Sequence, residues 1–162
     1  MNDFLQGMQR YKEFSEAFRL ESDRACAVLA MCVIEETLRA MFLALAVPGK
    51  DIGSLFPPGN TQISAENALA LGLLTEAEAR SYRALAKVRN EFAHKALENL
   101  TFDSLVVTSK LQHVPLAMSL PEGLLANQTP RNHYLIAASL LEMSMLMKMG
   151  SIARLSPIKV GG

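Results

Sequence analysis

The chain has 162 residues, the size of one domain with a full hydrophobic core. Half of its residues are hydrophobic, which excludes an intrinsically disordered chain. Its 16 basic and 16 acidic residues cancel to a net charge of zero, which argues against a dedicated nucleic-acid binder with a broad basic face. The same neutrality leaves little charge repulsion between copies, so we expect a homo-oligomer.

Neither a leader segment nor a membrane span is predicted. The N-terminus lacks the basic start and apolar core of a signal peptide. The longest charge-free apolar stretch, Ala25 to Ile34, is stopped by Glu35 and Glu36 and is too short to cross a membrane. Cys26 and Cys32 lie on different faces of one predicted helix and cannot bridge each other. We expect two buried free thiols and a cytoplasmic location.

Two helices are predicted in the first part of the chain. Apolar residues recur at helical spacing over residues 3–19 and predict an amphipathic helix. A second helix begins near residues 21–24 and runs to about Ala46. Its middle is apolar on all sides, which is typical of a central buried helix. Residues 47–61 are rich in proline and glycine and are predicted to form a loop.

Further helices follow this loop. Residues 64–71 are predicted to form a short helix that is stopped by Gly72. Thr75-Glu-Ala-Glu78 matches a capping box and opens a longer helix that ends near residues 94–97. Asp103 is then predicted to cap a short helix that reaches about Gln112.

The last part of the chain is predicted to hold a second loop and one more helix. Residues 113–128 contain proline and glycine and are predicted to be a loop, and Thr129-Pro130 is a strong helix start. That helix runs from Arg131 to about Met149. No segment shows sustained alternation, so we expect no substantial sheet. The prediction is an all-α fold, a compact bundle of about five to six helices with a single domain over residues 1–150 and a flexible tail over residues 151–162.

The polar groups that could support chemistry cluster at the end of the fourth predicted helix, in the segment from Lys87 to His94. On a helix, Asn90 and His94 share a face, whereas Arg89 and His94 are separated by about 140° around the axis. Arg89 and His94 would meet if the helix frays near His94, if the arginine wraps around the helix, or if a second subunit's helix faces the first across a two-fold axis. Histidine can move protons at neutral pH and arginine can hold a phosphate, so the pair could cleave RNA if its members met. The structural alternative pairs Arg89 with a carboxylate of the second helix and bonds His94 to the last carbonyls of its own helix.

Charged residues also flank the apolar centre of the second helix, where they must be paired or reach water. Arg24 could pair with Glu21. Arg39 could pair with Glu35 or Glu36. A remaining carboxylate, with Glu36 or Glu21 as the first choice, would pair with Arg89. We therefore predict one structural polar cluster, made of Glu21, Asp23, Arg24, Glu35, Glu36 and Arg89.

No metal or cofactor is expected. Glu91-Phe-Ala-His94 has the Glu-x-x-His spacing of di-metal helical bundles, but the sequence holds no second copy of that spacing. His113 and His133 form no ligand set with the cysteines. The sequence also has no Walker loop, no dinucleotide-binding glycine pattern and no helix-turn-helix signature.

Five short motifs occur in order within residues 15–148: Glu21-Ser-Asp-Arg24, Leu71-Gly-Leu-Leu74, Arg89-Asn-Glu-Phe-Ala-His94, Phe102-Asp103 and Thr129-Pro-Arg131. In these motifs the chain resembles the mannitol operon repressor (MltR-type) family. The resemblance implies an all-helical fold and a role in repressing sugar-alcohol uptake genes, and it supplies no DNA-binding motif. The chain departs from the family pattern at Glu66 and Asn67, where a basic residue is usual, and over residues 113–128.

Arg89-Asn90 with His94 also resembles the signature of the HEPN superfamily, which includes metal-independent ribonucleases and inactive members. That resemblance would make Arg89 and His94 the catalytic pair, with Asn90 as the polar residue between them. The whole-chain resemblance ranks first, so we expect a non-enzymatic, repressor-like regulator. It would act through a protein partner and bind nucleic acid only weakly on its own. The alternative is a HEPN-type ribonuclease.

Overall fold

The structure, a computed structural model, describes residues 2–120, 123 and 125–157. This part of the chain contains six α-helices and no β-strand, which confirms the predicted all-α bundle. The helices are α1 (Asn2–Ala17), α2 (Asp23–Leu45), α3 (Thr61–Ala70), α4 (Glu76–His94), α5 (Leu105–Leu111) and α6 (Pro130–Met149).

Side-chain caps set several helix starts. The predicted capping box of α4 is confirmed, because the Glu78 amide donates to Thr75 Oγ1 at 3.3 Å and the Thr75 amide donates to Glu78 Oε2 at 2.6 Å. The predicted start of α6 is also confirmed: Thr129 caps the helix and Pro130 is its first residue. Each cap satisfies amides at the helix start that have no partner within the helix.

Two predicted boundaries are wrong. Helix α3 begins at Thr61 rather than at residue 64, because the Asn60 side chain accepts a hydrogen bond from the Ile63 amide at 3.1 Å and opens the helix earlier. Helix α5 begins at Leu105, so Asp103 is not its N-cap. The N-cap position belongs to Ser104, whose side chain instead accepts a hydrogen bond from the Thr101 amide at 2.9 Å.

Helices α2 and α6 form the centre of the bundle. They pack against each other and against α4, and residues 134–142 of α6 are all buried. Helix α1 covers α6, while α3 and α5 cover α4. Gly7 lets α1 approach α6 closely, since a β-carbon added there would lie 2.8 Å from Leu140 Cδ2.

Helix α2 is less enclosed than its apolar sequence predicts. Leu29, Cys32, Glu36 and Leu43 form an exposed stripe along it, because none of the other five described helices covers that side. Cys26 is buried and Cys32 is exposed, so the prediction of two buried thiols is wrong for Cys32. Both thiols are free.

The loops follow the predicted pattern where they are described. Residues 47–60 are non-helical, and Gly49 and Gly59 adopt the positive φ angles that glycine tolerates best. In the predicted tail, the Leu155 amide donates a hydrogen bond to the Leu45 carbonyl at 2.8 Å. Residues 158–162 of the tail and residues 121, 122 and 124 of the second loop lie outside the described residues. No helix that the structure describes is long and apolar enough to cross a membrane.

Candidate functional site

Arg89 lies at the interface between α4 and α2. Its side chain is 19% exposed, and Nη2 donates a hydrogen bond to Glu35 Oε1 at 3.2 Å. Pairing with a carboxylate of the second helix is confirmed, but the predicted partners Glu36 and Glu21 are wrong, since both are exposed. Glu35 is the carboxylate of α2 that binds Arg89. Arg89 Nε is buried and lacks a hydrogen-bond partner within the described part of the chain.

His94 is the last residue of α4 and its side chain is exposed. Because α4 stays helical to its end, the separation of about 140° between Arg89 and His94 is retained. Arg89 therefore faces α2 while His94 faces solvent, and the two side chains do not form a pair within one chain. Asn90, between them in sequence, is partly exposed and makes no side-chain hydrogen bond to any described residue.

His94 makes no side-chain hydrogen bond to the last carbonyls of α4 within the described residues, so the role predicted for it there is wrong. Arg24 instead binds two carbonyls that follow the helix. Arg24 Nη2 donates to the Lys95 carbonyl at 3.1 Å and to the Glu98 carbonyl at 2.8 Å. A guanidinium is the better partner, because it is always charged and has several donors for carbonyls that lack helix partners. The predicted pairing of Arg24 with Glu21 is also wrong, because the Arg24 guanidinium binds these two carbonyls instead.

Asp23 is the centre of a second set of contacts at the N-terminus of α2. Its Oδ1 accepts from Arg131 Nη1 at 2.7 Å, and its Oδ2 accepts from the Phe102 amide at 2.8 Å. Arg131 Nη2 also donates to the carbonyls of Phe18 and Glu21. We call Asp23, Phe102 and Arg131 the hub. It joins the start of α2 to the start of α6 and to the turn before α5.

The predicted single polar cluster is therefore two separate sites. Asp23 and Arg24 act at the start of α2, and Glu35 with Arg89 acts about 18 Å farther along that helix, given the rise per residue. Glu36 belongs to neither site. Glu36 and Arg39 are exposed and form no ion pair with described residues, so the predicted pairing of Arg39 with Glu35 or Glu36 is also wrong. Glu35 is bound by Arg89 instead.

A cavity of about 320 Å³ opens beside the Arg89–Glu35 pair. Glu35 and Arg39 line it from α2, Tyr82 lines it from α4, and residues 56–61 close one side. Burial raises the pKa of Tyr82, and the nearby carboxylate of Glu35 raises it further. Tyr82 thus keeps its proton at neutral pH and can donate a hydrogen bond, but it cannot act as a base there.

Two buried carboxylates form ion pairs that were not predicted from the sequence. Glu142 of α6 is 2% exposed and binds the guanidinium of Arg10 through both oxygens, which attaches α1 to α6. Glu78 of α4 is equally buried and binds Lys148 of α6. A carboxylate in an otherwise apolar helix, as at Glu142, is a sequence signal for such a pair, because a buried charge needs a partner.

A cationic cleft on α4 was also not predicted. Arg80, Arg83 and Lys87 line it, together with residues of α3 and of the segment after α5, and its volume is about 450 Å³. The spacing of three, four and seven positions places these cations on one face of α4, away from Arg89. That spacing is visible in the sequence, and a net charge of zero for the whole chain does not exclude such a local group of cations.

No metal site is apparent within residues 2–120, 123 and 125–157, where no three histidine, cysteine, aspartate or glutamate side chains are grouped to hold an ion. No protein-family model, curated protein sequence or solved structure matches the chain.

Proposed function

We propose that this chain is a cytoplasmic, non-enzymatic regulator that represses a sugar-alcohol uptake operon by binding another macromolecule. The observation that carries the proposal is the convergence of the motifs that resemble the mannitol operon repressor family. Asp23, from the first motif, contacts Phe102 and Arg131, from the fourth and fifth motifs. Phe102 lies 79 positions after Asp23 in the sequence and Arg131 lies 108 positions after it, yet both contact this aspartate.

The remaining motifs also have structural roles. Arg24 of the first motif binds the carbonyls just after the third motif, and Arg89 of the third motif binds Glu35. In the second motif, Leu73 and Leu74 are buried and Gly72 has a φ of 70° at the end of α3. Motifs whose residues hold one fold together support the idea that the resemblance reflects a shared architecture, and with it the regulatory role that the resemblance implies.

The alternative, a HEPN-type ribonuclease, has less support. Metal-independent cleavage needs a proton-transferring group and a phosphate-stabilising cation at the same phosphate. Arg89 is bound by Glu35 at the α2–α4 interface, whereas His94 lies on another side of α4 and is exposed. A regulator needs neither residue to be free, which makes it the better interpretation of this geometry.

The proposal includes a protein partner and self-association. Leu5 of α1 is 60% exposed, and Leu146 and Met147 of α6 are 38% and 42% exposed. Leu5 and Leu146 line a groove of about 410 Å³ between the two helices. Exposed apolar side chains grouped in this way are typical of interaction surfaces, and a neutral chain opposes association only weakly. Light scattering of the purified protein and of a Leu146→Lys variant would test whether copies associate there.

A deletion strain tests the regulatory role. Transcripts of sugar-alcohol uptake genes should rise when the gene for this chain is removed and return to their starting level when the chain is restored. Restoration with the His94→Ala variant should repress equally well, because a non-enzymatic regulator does not use that imidazole. Unchanged transcripts in the deletion strain contradict the proposal. If the wild type restores repression and cleaves RNA, and the His94→Ala variant does neither, the ribonuclease is favoured.

A further inference from the structure

The cleft on α4 brings together three cations that the protein leaves almost unopposed. Arg80 and Lys87 are exposed and form no ion pair with any residue that the structure describes. The nearest acidic contact of Arg83 is to Glu76, at 3.9 Å, and that glutamate is 61% exposed. An exposed pair at this distance contributes little, so the cleft has a local positive charge even though the chain as a whole is neutral.

The other lysine and arginine side chains on or beside the C-terminal half of α4 are paired. Arg89 forms an ion pair with Glu35. Glu91 forms ion pairs with Lys110, at 3.0 Å, and with Lys95, at 3.5 Å. These contacts hold the charges that flank the cleft in internal ion pairs. Arg80, Arg83 and Lys87 therefore differ from the neighbouring cations, because those neighbours are held in ion pairs and these three are not held in close ones.

The length of the set indicates what it could bind. Arg80 and Lys87 are separated by seven residues, which is about 10 Å along the helix axis. Each strand of a DNA duplex carries one phosphate per about 3.4 Å of helix axis, and a less stacked single strand spaces its phosphates more widely, so up to about three phosphates match this length. A single small anion would leave one or two of the cations without a partner.

The shape and lining of the cleft further limit the class of ligand that fits it. It is concave, and its lining includes Gln62 of α3 and His113 and Pro115 of the segment after α5. A concave site accommodates one strand more easily than a duplex, and the exposed His113 ring offers a surface on which a base can stack. Few apolar side chains line the cleft, whereas a protein interface usually has an apolar centre.

We propose that the α4 cleft binds the phosphate backbone of a single-stranded nucleic acid through Arg80, Arg83 and Lys87. The inference deepens the proposed function, on which it rests, by naming the class of one macromolecular partner. It uses neither Arg89 nor His94. Backbone contacts of this kind give binding without sequence preference, and that binding weakens as salt rises.

Fluorescence anisotropy with a labelled oligouridylate of about 12 nucleotides tests the proposal. Three phosphate contacts predict a slope of about −2 for log affinity against log salt between roughly 50 and 200 mM. The cleft variant, Arg80→Gln with Arg83→Gln and Lys87→Gln, should bind about 100-fold more weakly near 0.1 M salt. A circular-dichroism melt should show that this variant remains folded.

A matched control removes the same amount of charge elsewhere. Arg19, Lys50 and Arg154 are exposed and lie outside the cleft, so the variant with all three replaced by Gln should bind within about twofold of wild type and keep the salt slope. Equal losses in the two triple variants overturn the proposal, because binding would then follow net charge alone. Tighter binding of a duplex, or equal binding of a polyglutamate peptide through the same residues, also overturns it.

The outcome is separable from that of the deletion strain. The anisotropy measurement needs only purified protein and an oligonucleotide. If transcripts respond to the deletion but no strand binds in the cleft, the inference fails and the proposed function stands. If the strand binds through the cleft but transcripts do not change, the inference stands and the repressor role fails.

Discussion

Arg89 and Glu35 are 54 positions apart in the sequence and form the ion pair that joins α4 to α2. The carboxylate that binds Arg89 lies next to the exposed Glu36, which binds no described residue. A shift of one position on a helix rotates a side chain by about 100°. Of these two neighbouring carboxylates, Glu35 is therefore the one that reaches Arg89 on α4. The pair explains why Arg89 is held away from His94.

Replacing Arg89 with alanine should destabilise the protein by about 1–3 kcal/mol, because the partly buried Glu35 carboxylate would lose its partner. Glu35→Gln should cost less, and the double variant should cost less than the sum of the two. Urea unfolding measures all three. Lys12→Ala, which removes an exposed pair at 4.0 Å, is the control and should change stability by at most about 0.5 kcal/mol. Equal midpoints for wild type and Arg89→Ala contradict the role given to the pair.

Asp23→Ala should destabilise the protein by about 2–4 kcal/mol. It removes the ion pair with Arg131 and leaves the Phe102 amide without its acceptor. Asp103→Ala is a close control, since that aspartate is exposed, follows Phe102 directly and caps no helix. Its effect should stay within about 0.5 kcal/mol. Thermal melts of the two variants measure this difference. Similar losses of stability in both variants would contradict the stabilising role given to the hub.

The sequence predicts the helices well because their signals are local. The capping box at Thr75 and Glu78 and the Thr129-Pro130 start need only neighbouring residues, and both are found where predicted. The partners of the charged side chains could not be predicted in the same way. Arg24, Asp23 and Arg89 bind groups more than 50 positions away, and which carboxylate faces α4 depends on how α2 is rotated in the bundle.

Acid should destabilise the protein partly through Glu78. Burial opposes its ionisation, but hydrogen bonds from Lys148, Ser144 and the Thr75 amide outweigh burial and hold the pKa of Glu78 below 4.5. A lowered folded-state pKa contributes stability that is present above pH 4.5 and lost as pH falls through the folded value. The Glu78→Gln variant should therefore lose less stability on acidification than wild type.

Urea unfolding over a pH series that extends below pH 4.5 measures this difference. The exposed Glu66 provides the control, and Glu66→Gln should lose stability with pH as wild type does. The same acid sensitivity in the Glu78→Gln variant would show that this carboxylate is not responsible.

The two thiols should react very differently. Cys32 is exposed on α2, whereas Cys26 is buried and its burial raises the pKa of the thiol to about 11. The thiolate is the reactive form, so a thiol reagent at neutral pH should modify Cys32 first and Cys26 only on unfolding. Mass spectrometry of the native and urea-treated protein counts the modified sites. Rapid labelling of Cys26 in the native wild-type protein and in the native Cys32→Ser variant would contradict this prediction, because it would show that α2 is more open than described.

Purified protein should not cleave RNA in the presence of a chelator, because Arg89 and His94 do not meet within one chain. The assay compares wild type with His94→Ala on structured and single-stranded RNA. Any activity due to this site should need both residues and leave cyclic phosphate ends. Cleavage that the His94→Ala variant loses would overturn the non-enzymatic role, whereas equal cleavage by both proteins would come from a contaminant.

The order of the helices along the chain has a consequence for synthesis. The central helix α2 leaves the ribosome well before its partner α6 and the hub residue Arg131. Until residues 130–149 emerge, the apolar surface of α2 has no complete cover, and surfaces of that kind favour aggregation. The nascent chain is therefore most vulnerable after α4 has formed and before α6 is available, which is the interval in which a chaperone would act.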